Sequence, residues 1–263
     1  MVLYRKYRPQ LLSELDLLET REKLAKTLKS SYRPHAYLFS GPKGTGKTSA
    51  ARIVAKALNC VNPPAGGEPC NKCESCISIT EGRHMDVIEI DAASNRGIDE
   101  MRDLREKIRL APSTAKNKVY IIDEVHMLTT DAFNALLKTL EEPPEHAVFI
   151  LATTEPDKLP DTILSRSTKF SFSKATNSEI SHAIGRVVAG EKIKIEEDAI
   201  NLIADYADGS FRDGTKILEQ AINQKALSFA QVSEMLGWDS ATAIDFLLLL
   251  KERNGKKLIE FIT

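Results

Sequence analysis

The sequence predicts an open, doubly wound α/β domain followed by a small all-helical one. Three observations predict it. Short apolar segments alternate with helical patterns as far as about residue 172. Between the first of these segments and the helix after it lies Gly41-Pro42-Lys43-Gly44-Thr45-Gly46-Lys47-Thr48, which reads G-x-x-x-x-G-K-T. Beyond Phe172 no convincing strand follows, and only helical periodicity remains.

Taken in order, the first strand is Ala36 to Ser40. The helix after the glycine-rich loop carries Ile53, Val54, Ala57 and Leu58 on one face. Further strands are expected at Val87 to Asp91, Val119 to Asp123, Val148 to Thr153, and Lys169 to Phe172. The middle ones are near-continuous apolar runs, as expected where helices cover both faces of a parallel sheet. Ile98, Met101, Leu104 and Ile108 mark one intervening helix. Phe133, Leu136, Leu137 and Leu140 mark another, which must stop before Pro143-Pro144. A boundary falls near Ala175. Stripes at Ile180, Ile184, Val187, Val188 and at Ile200, Ile203, Ala204, Ala207 then give two helices. Ser210, with Asp213 three residues on, opens a third, and a fourth around Val232 to Leu236 ends at Gly237. The expected division is 1–174 for the core, 175–238 for the helical domain and 239–263 for the start of a third domain.

The chain has 263 residues, 42% hydrophobic and 28% charged, and a formal net charge of −1. Such a balance provides no global field to draw it to nucleic acid, so any such contact needs a local patch or an assembly. No apolar run approaches membrane-spanning length, and Met1 to Lys6 lacks a secretory apolar region. The expectation is a cytoplasmic chain with no membrane partner.

The glycines of the loop at 41–48 let backbone N–H groups close around phosphate oxygens, and the helix N-terminus adds a favourable dipole. Lys47 can reach β- and γ-phosphates, and the Thr48 hydroxyl can ligate magnesium. The bland alternative, a turn that binds nothing, does not account for both glycines, Lys and Thr in register. Asp123 and Glu124 close the buried strand that begins at Val119. A strand-end Asp holds magnesium in phosphate-loop enzymes, and the next Glu can orient and deprotonate water. Thr153 or Thr154, ending another strand, could bond the γ-phosphate or the lytic water, or could simply cap a turn. Arg166, in Leu164-Ser165-Arg166-Ser167, could cap a short helix or reach a neighbouring subunit's nucleotide. Arg212 opens a helix, where a cation opposes the dipole at a cost of about 0.3–1 kcal/mol, which points to an anionic partner or to neutralisation by the adjacent Asp213.

All four cysteines, Cys60, Cys70, Cys73 and Cys76, lie within one short stretch spaced C-x₉-C-x₂-C-x₂-C. Such steps bring thiolates close enough for one tetrahedral ion, and four fill zinc's shell, so a structural zinc module at about 60–80 is expected. Free thiols, His84 replacing one cysteine, or an iron–sulfur cluster, whose usual runs are spaced differently, remain the alternatives. His35, His126, His146 and His182 read as ordinary surface or core histidines.

With these residues in place, the chain resembles the gamma/tau ATPase subunits of bacterial replicative clamp loaders, an AAA+ family. The resemblance is carried by the cysteine module after the phosphate-loop helix and by specific words. These are Tyr4-Arg5-Lys6-Tyr7-Arg8-Pro9, His35 to Gly41, Ile88 to Ser94, Ile122 to Leu128, and Asn134 to Pro144. It implies an AAA+ core with a zinc-binding insertion, a helical lid and a collar that assembles a pentameric ring. It implies ATP, Mg²⁺ and structural Zn²⁺, and as partners the other ring subunits, a sliding clamp and primer–template DNA, in the cytoplasm at the nucleoid. By position, Thr154 or Thr153 resembles the sensor-1 residue, Arg166 the arginine finger acting in trans, and Arg212 the sensor-2 residue; Tyr7, Arg8 and Pro9 would lie near adenine. The implied activity is ATP-driven opening and loading of the clamp. The competing readings are another AAA+ remodelling ATPase and a nucleotide-binding ring subunit that does not hydrolyse. Departures from the family are Ser167 for cysteine, no Gly-Gln within Leu15 to Glu19, and Gly214-Thr215-Lys216 for Ala-Leu-Ser.

Overall fold

The computed structural model describes residues 2–237 except 31, 65, 95–103 and 105. Ile98 and Met101, and everything from Trp238 onward including the expected third domain, lie outside the described residues. Five strands form one parallel sheet: β1 (Ala36–Ser40), β2 (Val87–Asp91), β3 (Lys118–Asp123), β4 (Ala147–Thr153) and β5 (Thr168–Ser171), in the order β2-β3-β4-β1-β5. The register places Ala36 opposite Phe149 and Tyr37 opposite Thr168, so β1 sits between two strands that come much later in the chain. The carboxyl ends of β1, β3 and β4 therefore emerge side by side, where ligands bind in open α/β sheets.

Alternation along the strands sorts the core into two layers. Tyr37, Phe39, Val119, Ile121, Val148 and Ile150 face one side and pack with Leu24, Leu28, Ile53 and Val54. Leu38, Tyr120, Ile122, Phe149 and Leu151 face the other, against Phe133 and Leu136 of the helix Thr130–Glu141. The first layer continues without a break into the helical part, through Ile180, Ile184, Leu202, Ile203 and Leu218. That part consists of Asn177–Glu191, Glu197–Tyr206, Phe211–Asn223 and Phe229–Met235.

Strand β3 starts one residue before the expected position. Lys118 is 8% exposed, and its ammonium donates to the carbonyls of Lys107 and Leu110. A lysine whose charge is met by backbone oxygens can begin a buried strand, which an apolar pattern does not register. Strand β5 ends at Ser171, although the Phe172 amide still donates to the Ser40 carbonyl at 2.7 Å. In the helical part, Thr176 with Glu179 and Ser228 with Gln231 make reciprocal capping boxes. At Ser210 only half the expected pair forms: its hydroxyl accepts from the Asp213 amide. Gly214 lies where an added Cβ would come within 3.0 Å of Ile180 and 3.3 Å of Ala207, so the missing side chain lets three helices approach closely.

Candidate nucleotide site and metal centre

The loop after β1 is shaped by its glycines. Gly41 has φ +147, and a Cβ there would lie 1.9 Å from the Phe172 carbonyl oxygen. Gly44 has φ +82, and a Cβ there would lie 2.0 Å from the Ser210 hydroxyl, so the loop meets the start of the helix Phe211–Asn223. The Lys47 ammonium folds back to donate to the carbonyls of Gly41 and Pro42 at 2.7 and 2.8 Å. Burial, only partly opposed by the nearby Glu124 and Asp123, lowers its pKa. The Thr48 hydroxyl donates to Asp123 at 2.7 Å, joining the helix after β1 to the end of β3.

Glu124 adopts left-handed backbone, φ 48, which turns the chain sharply off β3. Its carboxylate accepts from the Thr154 hydroxyl at 3.0 Å and amide at 3.3 Å. Thr154 thus meets Glu124, whereas Thr153 is buried and bonds His126 at 3.0 Å and the Glu155 amide. His126 is a core histidine, its side chain 5% exposed. Its ring bridges Glu124 at 3.4 Å and Glu155 at 3.2 Å, so it belongs to the surroundings of the acidic pair.

A cleft opens between this edge and the helical part. Lys43 to Thr48, Asp123 and Glu124 line its floor; Tyr7, Arg8, Pro9, Phe211 and Arg212 line its walls. Burial, reinforced by Arg52, lowers the pKa of Arg8. Arg166 does not line the cleft. It lies at the end of the short helix Asp161–Arg166, half-exposed, paired with Glu141 at 3.0 Å and donating to the Thr162 carbonyl. The hydroxyl of Ser167 beside it is buried with no hydrogen-bond partner among the described residues, a place where a thiol would be more at ease.

Sequence reasoning passed over Asp16, Phe172, Arg186 and Thr215, which also line the cleft. Asp16 and Arg186 form a bidentate pair at 2.5 and 2.6 Å, with His182 on the same carboxylate at 2.8 Å. His182 itself lies at the surface, its side chain 71% exposed. No spacing rule joins residues so far apart, and the only signal is the acid itself within the altered 15–19 stretch.

The four cysteine sulfurs gather within 4.8 Å of one another, which fits a tetrahedral ion whose Zn–S bonds of about 2.3 Å put sulfurs about 3.8 Å apart. The amides of Lys72 and Cys73 donate to Cys70, and they bring its thiol down to about 6. Burial pushes the Cys60 and Cys76 thiols the other way, up from their ordinary value. His84 is not in this group; it contacts Ser75 and the Asp86 amide.

Known proteins resemble this chain over most of its length. A family model described as DNA polymerase III, delta subunit, matches residues 18–176. A second, described as DNA polymerase III clamp loader subunit, ATPase lid domain, matches residues 179–226. DNA polymerase III subunit tau of Bacillus subtilis is 54% identical over 225 residues, 84% of this chain and 39% of the relative. The Escherichia coli subunit tau is 44% identical over 265 aligned positions, 99% of this chain and 41% of the relative. The chain spans about two-fifths of the length of these curated relatives. Among solved structures, the Thermotoga maritima RuvB Holliday junction branch migration motor superposes with a TM-score of 0.66 at 18% identity, covering 94% of this chain and 80% of that one. That likeness speaks to the fold alone.

Proposed function

Because the chain belongs to the DNA polymerase III clamp-loader subunit family, we propose that it is an ATP-hydrolysing motor subunit that opens the sliding clamp and loads it onto primed DNA. The observation that carries the reading is the convergence of Lys47, the Thr48–Asp123 pair and the Thr154–Glu124 pair on one sheet edge, beneath a lid that presents Arg212 to the same cleft.

The loop at 41–48 binds the triphosphate: its amides surround phosphate oxygens, and Lys47 exchanges its two loop carbonyls for the β- and γ-phosphates. Thr48 and Asp123, already in contact, would hold Mg²⁺, which neutralises charge on the β- and γ-oxygens when bound. Glu124 accepts the proton of the attacking water. Thr154 holds that carboxylate in place and supplies the sensor-1 contact. Arg212 senses the nucleotide from the lid, and Tyr7, Arg8 and Pro9 face the base. Arg166, turned away from the chain's own cleft, suits action on a neighbour's nucleotide. Cys60, Cys70, Cys73 and Cys76 would hold a structural Zn²⁺, with no position left open for catalysis.

The division into a core of 1–174 and a lid of 175–238 is supported by where the two family models match. The partners are the other subunits of a pentameric ring, the clamp and primer–template DNA, and the setting is the cytoplasm at the nucleoid. A non-hydrolysing ring subunit is the second reading, and the positioned Glu124 weighs against it. Another AAA+ remodeller is the third, and the four-cysteine module weighs against that.

The test is ATP turnover by the chain assembled with its partner subunits, with and without clamp and primed DNA. Stimulation by the two together is expected, and none would overturn the reading. Glu124→Gln should keep ATP binding and lose at least about 10²-fold in turnover, within the range general-base removal gives; unchanged turnover would take the base role from Glu124.

A further inference from the structure

Asp16 and Arg186 meet across the cleft, 170 residues apart in sequence. Asp16 lies in the segment leading into the helix Leu18–Lys29 of the α/β core, and Arg186 lies on the first helix of the helical part. Both side chains line the cleft that holds the phosphate loop. The Asp16 side chain is 7% exposed and that of Arg186 is 37% exposed. Each carboxylate oxygen takes one guanidinium nitrogen, and Arg186 also reaches the Glu14 carbonyl at 3.4 Å. A fork-on-fork pair of this kind fixes orientation as well as distance.

Two neighbouring contacts have the same sense. The Lys6 ammonium pairs with Glu191 at 2.6 Å, and a Cβ on Gly190 would collide with the Tyr7 side chain, 2.5 Å from its nearest ring carbon. The N-terminal segment thus runs along the lid helix, and the Asp16–Arg186 pair is its most buried polar tie.

We propose that Asp16 and Arg186 act as a latch that holds the lid in register over the nucleotide cleft before nucleotide arrives. They are positioning residues, and the proposal rests on the nucleotide-binding reading above. A cleft whose walls are already aligned has less conformational freedom to lose on binding, so a closed latch strengthens affinity without touching phosphate. By the same linkage, bound nucleotide resists opening of the latch. ATP and ADP should feel it alike, since the γ-phosphate plays no part.

The experiment measures Mg²⁺-ATP and Mg²⁺-ADP dissociation constants for the wild-type chain, Asp16→Asn, Arg186→Gln and the double variant, with a thermal melt of each as a check on folding. Each single change should weaken both nucleotides roughly tenfold, the scale of one charged hydrogen bond, and the double variant should be no weaker than the worse single. Single variants that melt cooperatively yet bind within twofold of wild type would overturn the latch. So would losses that multiply in the double variant, since two residues acting separately on the nucleotide would behave that way. A wild-type chain that binds neither nucleotide sinks the nucleotide reading itself; wild-type binding with unmoved variants sinks the latch alone.

Discussion

At the scale of single residues, Asp86 shows how one buried carboxylate can organise a loop. It is 1% exposed and accepts from the amides of Ser113, Thr114 and Ala115 at 2.8, 2.8 and 2.9 Å, and from the Thr114 hydroxyl. Burial alone would raise its pKa, but the amide bonds outweigh burial and hold it below the ordinary carboxylate range. A carboxylate with a depressed folded-state pKa adds stability that is present above its unfolded value, about 3.9, and is lost as pH falls through the folded value. Asp86→Asn should therefore cost about 1.5–3 kcal/mol at neutral pH, the scale of hydrogen bonds to a charged acceptor, and less in acid. Denaturant melts at pH 7 and pH 3 check this; an equal loss at both would show that charge is not what holds the loop. Asp86 was invisible to sequence reasoning because its partners lie on an irregular loop with no periodic signature.

At the scale of elements, the phosphate loop and the lid helix Phe211–Asn223 are fitted to each other through Gly44. Gly44→Ala combines a left-handed backbone with a Cβ inside the Ser210 hydroxyl, so it should push lid and loop apart. The expected result is at least a tenfold loss of ATP affinity with the cooperative melt retained; unaltered binding would mean that the lid gives way freely. The strands and the phosphate loop were legible in the sequence because apolar runs and glycine spacing are local signals. The carboxylate pair was legible for the same reason. What was not legible depends on distant partners: Lys118 opening a strand on two carbonyls, His126 between two glutamates, and His182 on the Asp16 carboxylate. Each looked ordinary because its chemistry is supplied by residues that no window includes.

At the scale of the whole molecule, Arg166 stands on an outer surface, paired with Glu141 rather than facing its own cleft. A finger acting on a neighbour predicts a split result. If Arg166 has the proposed role, Arg166→Ala should leave ATP affinity of the single chain unchanged yet lower turnover of the assembled complex by about 10³-fold or more, the scale known for arginine fingers. Full turnover in the assembly would remove Arg166 from that role. The strand order carries a different consequence, for the birth of the protein. β1 is made early, but its hydrogen-bonding neighbours are residues 147–153 and 168–171. At a synthesis rate of about 5–20 residues per second, the apolar run from Ala36 to Phe39 emerges from the ribosome roughly 7–25 s before its last neighbour exists. Until residues 147–153 follow, both of its hydrogen-bonding edges are unpaired, though one face can already meet Leu24, Leu28, Ile53 and Val54. Chaperone binding to the nascent chain should therefore include the run from Ala36 to Phe39 and fall once Ser171 has cleared the exit tunnel, which crosslinking to stalled chains would show; binding that persists past that point would refute it.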